Sequence, residues 1–178
     1  MVFTELVEFV ENKFGFDTLD AMLEASMLEE KGAYTQAANY SYEELVAIVS
    51  RLAEITNSPA GDLIEAYGRH LFGRIVNLYP PMVANFSSSL AFISQVDTFI
   101  HPEVKKLYPD ADLPSFKLIT LNENELIIDY KSNKPLMSLA RGLMLGAADF
   151  FHETIEILED NQADETGRLA RFTVRRYG

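Results

Sequence analysis

The chain contains no cysteine, so disulfides, thiolate-bound metals and iron–sulfur clusters are excluded. Basic residues are scarce. Fifteen Lys and Arg stand against 27 Asp and Glu, a formal net charge of −12. Nucleic acid or an anionic membrane would be repelled by such a surface, and neither is expected as a partner. No apolar run approaches the roughly eighteen residues needed to span a bilayer. The opening Met-Val-Phe-Thr-Glu-Leu-Val-Glu carries acids where a signal peptide carries bases. A soluble, cytoplasmic protein is the expectation. The common enzyme motifs are missing as well: there is no His-Glu-x-x-His, Gly-x-x-x-x-Gly-Lys-Ser/Thr or Gly-x-Ser-x-Gly, and no dinucleotide glycine pattern. Acid pairs such as Asp110/Asp112 and Glu123/Glu125 have nothing bracketing them and read as solvated surface. The chain is not expected to be an enzyme.

What is present is enough apolar material to fold. Hydrophobic residues make up 48% of 178, which suits one well-buried core and is too short for two ordinary domains. A single domain over 1–178, with no linker, repeat or low-complexity stretch, is expected. The first half reads as helix. Val2, Phe3, Leu6, Phe9 and Val10 recur at helical spacing up to Phe14, and Gly15 is placed to end the helix. Asp17 is placed to cap a second helix through Leu19, Met22 and Leu23. Ser41-Tyr42-Glu43-Glu44 fits a capping box ahead of Leu45, Ile48, Val49 and Leu52. Ser58-Pro59 reads as an N-cap with proline at the first helical position of a helix through Leu63, Tyr67, Phe72 and Ile75, stopped by Pro80-Pro81. The 86–107 stretch is helical by pattern, but Pro102 has to start a new segment or kink the old one.

After that the period changes. Residues 116–121 and 126–130 are β-type runs joined by a hairpin across Asn122-Glu123-Asn124. Residues 135–151 return to helix, and Gly142 and Gly146, four apart, suit close helix packing. Residues 154–158 and 169–174 form a second pair of strands around Asp164-Glu165-Thr166-Gly167. Helices first, then an antiparallel sheet packed with helices, is an α+β architecture.

Three histidines are candidate metal ligands. A histidine in an arbitrary helix is more often structural than ligating, and His70, on a helix face after Gly68-Arg69, and His152, in the last turn of its helix, stay under that expectation. His101 differs by its surroundings. It stands at the helix discontinuity in Ile100-His101-Pro102-Glu103-Val104-Lys105-Lys106-Leu107-Tyr108-Pro109, and Tyr130-Lys131-Ser132-Asn133-Lys134 follows. An imidazole can supply the fifth ligand to haem iron. A tyrosine, a serine and a cation at i, i+2 and i+4 can hold two carboxylates, although a polar loop after a strand is common on its own account.

These two segments resemble the proximal histidine and the Tyr-x-Ser-x-Arg signature of the H-NOX family, the haem nitric oxide/oxygen binding domains, and the resemblance covers essentially the whole chain. Lys134 stands where the family has arginine. The resemblance implies haem b between the helical part and the sheet, with iron bound by His101 and propionates held by Tyr130, Ser132 and Lys134. Lysine keeps the charge but loses the planar fork of arginine. Arg141, the alternative cation, is nearly two turns further along by helical spacing. The resemblance also places the distal wall on the first helix, the Gly68 helix and the helix after Pro135, at Leu6, Leu71 and Leu139. Bound oxygen wants a hydrogen-bond donor, and leucines offer none, so nitric oxide and carbon monoxide are the expected ligands and oxygen is disfavoured. By the same resemblance, nitric oxide bound trans to His101 weakens its bond to iron and frees its helix to shift. The chain ends at Gly178 without an output domain, which implies a separate partner, a histidine kinase or a cyclic-di-GMP enzyme, or else an excised module. The competing expectation is an interaction module of the same fold that binds haem weakly or not at all.

Overall fold

The computed structural model describes residues 2–25, 42–160 and 168–177. Its elements are the helices α1 (Val2–Phe14), α2 (Phe16–Ala25), α3 (Tyr42–Thr56), α4 (Ala60–Leu78), α5 (Ser89–Ser94), α6 (His101–Leu107) and α7 (Met137–Phe150), and the strands β1 (Ser115–Leu121), β2 (Glu125–Lys131), β3 (Thr154–Asp160) and β4 (Leu169–Tyr177). The four strands form one antiparallel sheet in the order β1-β2-β4-β3. Alternation in the two central strands turns Leu126, Ile128 and Tyr130 of β2, and Ala170, Phe172 and Val174 of β4, into the core. The other face is wet and carries cross-strand ion pairs, Asp129–Arg171 at 2.6 Å and Glu125–Arg175 at 2.9 Å.

Most element positions follow from local sequence. Gly15 ends α1 in the left-handed region at φ 87°, which costs glycine little. The hairpin between β1 and β2 closes as expected, because Asn122 Oδ1 accepts from the backbone N–H of Asn124 and Glu125. Several ends differ from expectation. Asp17 does not precede α2 but lies in its first turn, since Phe16 is already helical. Ser58 does not cap α4: its hydroxyl donates to Thr56 O, and Pro59 is the N-cap residue. His152 is not in the last turn of α7 but beyond it at φ 57°, where Glu153 N–H closes on Ala148 O and satisfies a terminal carbonyl. The capping serine expected at Ser41 and the turn at 164–167 lie outside the described residues.

Two buried apolar clusters are formed. Leu6, Phe9, Val10, Leu19, Met22, Ile48, Leu52, Leu63, Tyr67 and Leu71 fill the space between α1, α2, α3 and α4. The second lies on the sheet, around Tyr130, Phe172, Phe92 and Met144. Ile75 of α4 and Leu143 of α7 pack against both. The two clusters are joined along the α4–α7 crossing, where glycine lets backbones meet. A Cβ at Gly142 would stand 2.1 Å from Glu65 O, and one at Gly68 2.6 Å from Leu139 O.

Glu153 ties the short helix α5 to the sheet. Its carboxylate accepts from the backbone N–H and hydroxyl of Ser89, at 2.9 and 2.5 Å, and from Arg176 at 2.9 Å. Burial by itself would raise this carboxyl, but the Ser89 donors and the Arg176 charge outweigh it and hold Glu153 below its ordinary value. A depressed carboxylate contributes stability that is complete above its unfolded value and is lost as pH falls through the folded one. Glu153→Gln is therefore expected to lower unfolding stability at neutral pH by about 1–3 kcal/mol. In denaturant melts the gap to wild type should close below about pH 4. A gap that stays constant with pH would show that the charge contributes nothing.

Candidate functional site

His101 stands at a break in the helical stretch after α5. Residues Val96–Ile100 form a π turn in which Ile100 N–H donates to Gln95 O and His101 N–H to Val96 O, five residues back in each case. The cause is Pro102, which has no N–H to continue the ladder and whose ring crowds the carbonyl four residues before it. Residues 86–88 are not helical, because Ser88 caps α5, and the rest of the 86–107 stretch is three short helical pieces rather than one helix, with α6 beginning at His101 itself. Its ring packs 5.8 Å (centroid to centroid) from Phe116 of β1, and Nδ1 lies 3.2 Å from Asp97 Oδ1. With Nδ1 engaged, Nε2 is the nitrogen left for a metal. Burial pushes the imidazole below its ordinary value, aided by Lys105 and opposed by Asp97, which favours the neutral ring that a metal requires.

An aromatic ladder runs from this histidine to the second motif. Phe116 is paired with Tyr130 across β1 and β2, their rings 5.4 Å apart, and Tyr130 in turn meets Phe172 at 5.8 Å. Tyr130 is 1% exposed. Two residues on, past the end of β2, Ser132 Oγ accepts from Lys134 N–H at 3.1 Å, so the loop is pinned and the hydroxyl proton stays available for a ligand. The Lys134 ammonium sits 3.7 Å from Asp112, which also accepts from Asn133. Lys134 is therefore paired within the protein. Arg141 is engaged elsewhere, with Glu65 at 2.6 Å, Glu159 at 3.1 Å and the Ile157 carbonyl. This removes it as the alternative cation.

On the helical side, the three leucines come together from α1, α4 and α7: Leu6 and Leu71 are buried in one cluster and Leu139 packs against it. Tyr67 is in the same cluster, 5.7 Å from Phe9. Burial, with a smaller contribution from Glu5, raises its hydroxyl far above the ordinary value, so it stays protonated. Sequence reasoning did not foresee Glu5. It is 6% exposed and held at 2.6 Å by Arg74, and its only signal was an acid on the apolar side of α1. Asp97 was missed too, although a carboxylate four residues before a histidine on helical sequence is a readable pair.

His70 belongs to a different place. A surface pocket of about 460 Å³ is lined by Lys13, Glu65, Ala66, Arg69, His70 and Asp149, and none of the His101 or Tyr130–Lys134 residues reaches it. The His70 ring packs 5.4 Å from Phe9, and its buried Nε2 has no hydrogen-bond partner among the described residues.

An imidazole with one nitrogen free, a buried aromatic wall, a loop hydroxyl with a proton to donate and a cluster of leucines on the helical side are the residue types that holding a haem requires. The comparisons agree. The sequence profile of the Haem-NO-binding family matches residues 1–159. Among solved structures, the Fe(II) unliganded H-NOX protein from K. algicida is 30% identical, covers 99% of this chain and 95% of its own, and superposes with a TM-score of 0.91. The Fe(II)CO H-NOX from Shewanella woodyi, solved with IWP-051 bound, is 35% identical over 99% of this chain and 93% of its own, with a TM-score of 0.83. The Fe(II)NO H-NOX from S. oneidensis is 26% identical over 99% and 98%, with a TM-score of 0.87. No curated protein matches. The chain belongs to the H-NOX (Haem-NO-binding) family, whose domains bind haem and sense gases.

Proposed function

We propose that this chain is a nitric oxide sensor, a single domain over 1–178 holding haem b through His101 and acting in the cytoplasm on a separate partner protein, a histidine kinase or a cyclic-di-GMP enzyme. The observation that carries the reading is the joint placement of Leu6 and Leu71 in the buried helical cluster with Leu139 packed against it. Haem, when bound, would supply a ferrous iron able to take a diatomic gas. His101 supplies Nε2, and its ring is oriented by Asp97 and Phe116. Tyr130 and Ser132 hold the propionate side through their hydroxyls, with Lys134 adding a charge that it shares with Asp112. The leucines exclude water and withhold a donor. Relatives solved with NO and CO support the choice of gas. His101 opens α6 next to a π turn, so loosening its hold on the iron would release a segment whose helical ladder is already irregular.

One set of spectra tests this. The reduced protein is expected to respond to nitric oxide and to carbon monoxide and to show no oxygen-bound spectrum in air, because each missing hydrogen bond in a dry pocket forfeits about 1–3 kcal/mol of oxygen affinity. A persistent oxygen spectrum would overturn the apolar-wall reading, and its loss in Tyr67→Phe would then identify the donor. A protein that takes up no haem on reconstitution would favour the haem-free interaction module, the reading that the Lys134–Asp112 pairing supports.

A further inference from the structure

The contact between Asp97 and His101 has a consequence for how firmly the histidine is held. A carboxylate has only acceptors, so the proton in this 3.2 Å contact sits on Nδ1 of the neutral ring, and Nε2 presents its lone pair. The separation of four residues puts both side chains on one face of the helical stretch. On another side the ring is packed by Phe116, and Thr98, the next residue after Asp97, is turned away to Gln95 Oε1 at 2.8 Å. A hydrogen bond and an aromatic contact thus help to hold the ring, whose side chain is 14% exposed. The Asp97 side chain is 39% exposed. Solvent and salt screen its charge at a distance, so its influence on the ring passes through the direct bond.

We propose that Asp97 is a positioning residue for the iron ligand: by accepting Nδ1–H it fixes the tautomer, aims Nε2 and raises the ring's donor strength toward iron. This rests on the reading of His101 as that ligand. Partners of this kind behind a metal-bound histidine orient it and raise its basicity. In this chain the partner is a full carboxylate rather than a neutral group, and it sits on the π turn that immediately precedes α6. Asp97 therefore sets how much weakening from the opposite side the iron–histidine bond withstands before α6 is released. It tunes the threshold of the switch as well as the geometry of the site.

The test is a graded series on the haem-reconstituted full chain. Asp97→Asn keeps size and one acceptor but removes the charge, and Asp97→Ala removes both. The low-frequency resonance Raman band of the ferrous iron–imidazole stretch is expected to fall in the order Asp, Asn, Ala. Haem transfer to apomyoglobin should speed up about tenfold in the alanine variant, as for other partners of metal-bound histidines. The fraction of protein that has lost the histidine bond after nitric oxide should rise in the same order. A stretch identical in all three proteins overturns the proposal even if thermal stability changes, since a purely structural role would move melting and leave the band in place. Failure of the underlying reading is separable. If His101→Ala leaves the ferrous spectrum unchanged, both fall. If it abolishes the ligand while the Asp97 series is flat, only the role of Asp97 falls.

Discussion

His101→Ala is expected to abolish retention of haem at purification, or to leave a protein that keeps haem only when free imidazole is supplied. The other described histidines offer no replacement from where they stand. His70 projects from α4 against Phe9 and lines the surface pocket with Lys13 and Arg69, and His152 lies past the end of α7 in a left-handed turn. Tyr130 and Ser132 would still meet the propionates, but hydrogen bonds at the edge contribute about 1–3 kcal/mol each and do not replace a metal bond. The ferrous absorbance spectrum of the variant, with and without imidazole, is the measurement. An unchanged spectrum would move the ligand elsewhere, and His70, whose Nε2 has no hydrogen-bond partner among the described residues, would be the residue to examine next.

Gly142→Ala is expected to destabilise the protein by about 3 kcal/mol from overpacking, of which the better helix preference of alanine returns about 1. A Cβ 2.1 Å from a backbone oxygen cannot be accommodated by a side-chain rotation, so α4 and α7 have to separate. The net loss corresponds to a melting temperature lower by roughly 4–8 °C for a chain of this size. Gly73 gives the matched control. It is an exposed position within α4 where a Cβ would meet nothing within 4 Å, and Gly73→Ala is expected to stabilise by about 1 kcal/mol. Opposite signs for one substitution type would isolate the crossing as the cause, and similar shifts would refute it. The crossing also sets the site, since Leu71 and Leu139 lie on the two helices that would part.

Much of this was legible before folding. The alternation of β2 and β4, the glycine stop after Phe14 and the asparagine turn at 122 are local, and each is read from a few neighbouring residues. The break at His101 was legible too, because a proline withdraws a donor wherever it stands. Its form as a π turn was not, since two hydrogen-bond registers differ little in energy and packing against Phe116 helps choose between them. The misplaced caps at Asp17 and Ser58 have a similar origin. Several neighbouring residues could begin a helix, and the choice depends on how the helix docks.

Sequence by itself determined the class of the protein: no thiol chemistry, an acidic surface, helices before strands, one histidine in a distinctive setting and a Tyr-x-Ser-x-Lys loop after a strand. Tertiary structure alone decided which charges pair and which apolar residues meet. Lys134 is drawn to Asp112 and Arg141 to Glu65 and Glu159, while Glu153 holds the start of α5. Leu6, Leu71 and Leu139, far apart in the chain, share one cluster. Periodicity is a property of the backbone and is written residue by residue. In a chain with 27 acids and 15 bases, every cation has many permissible partners, and only the packed arrangement of helices and sheet selects among them.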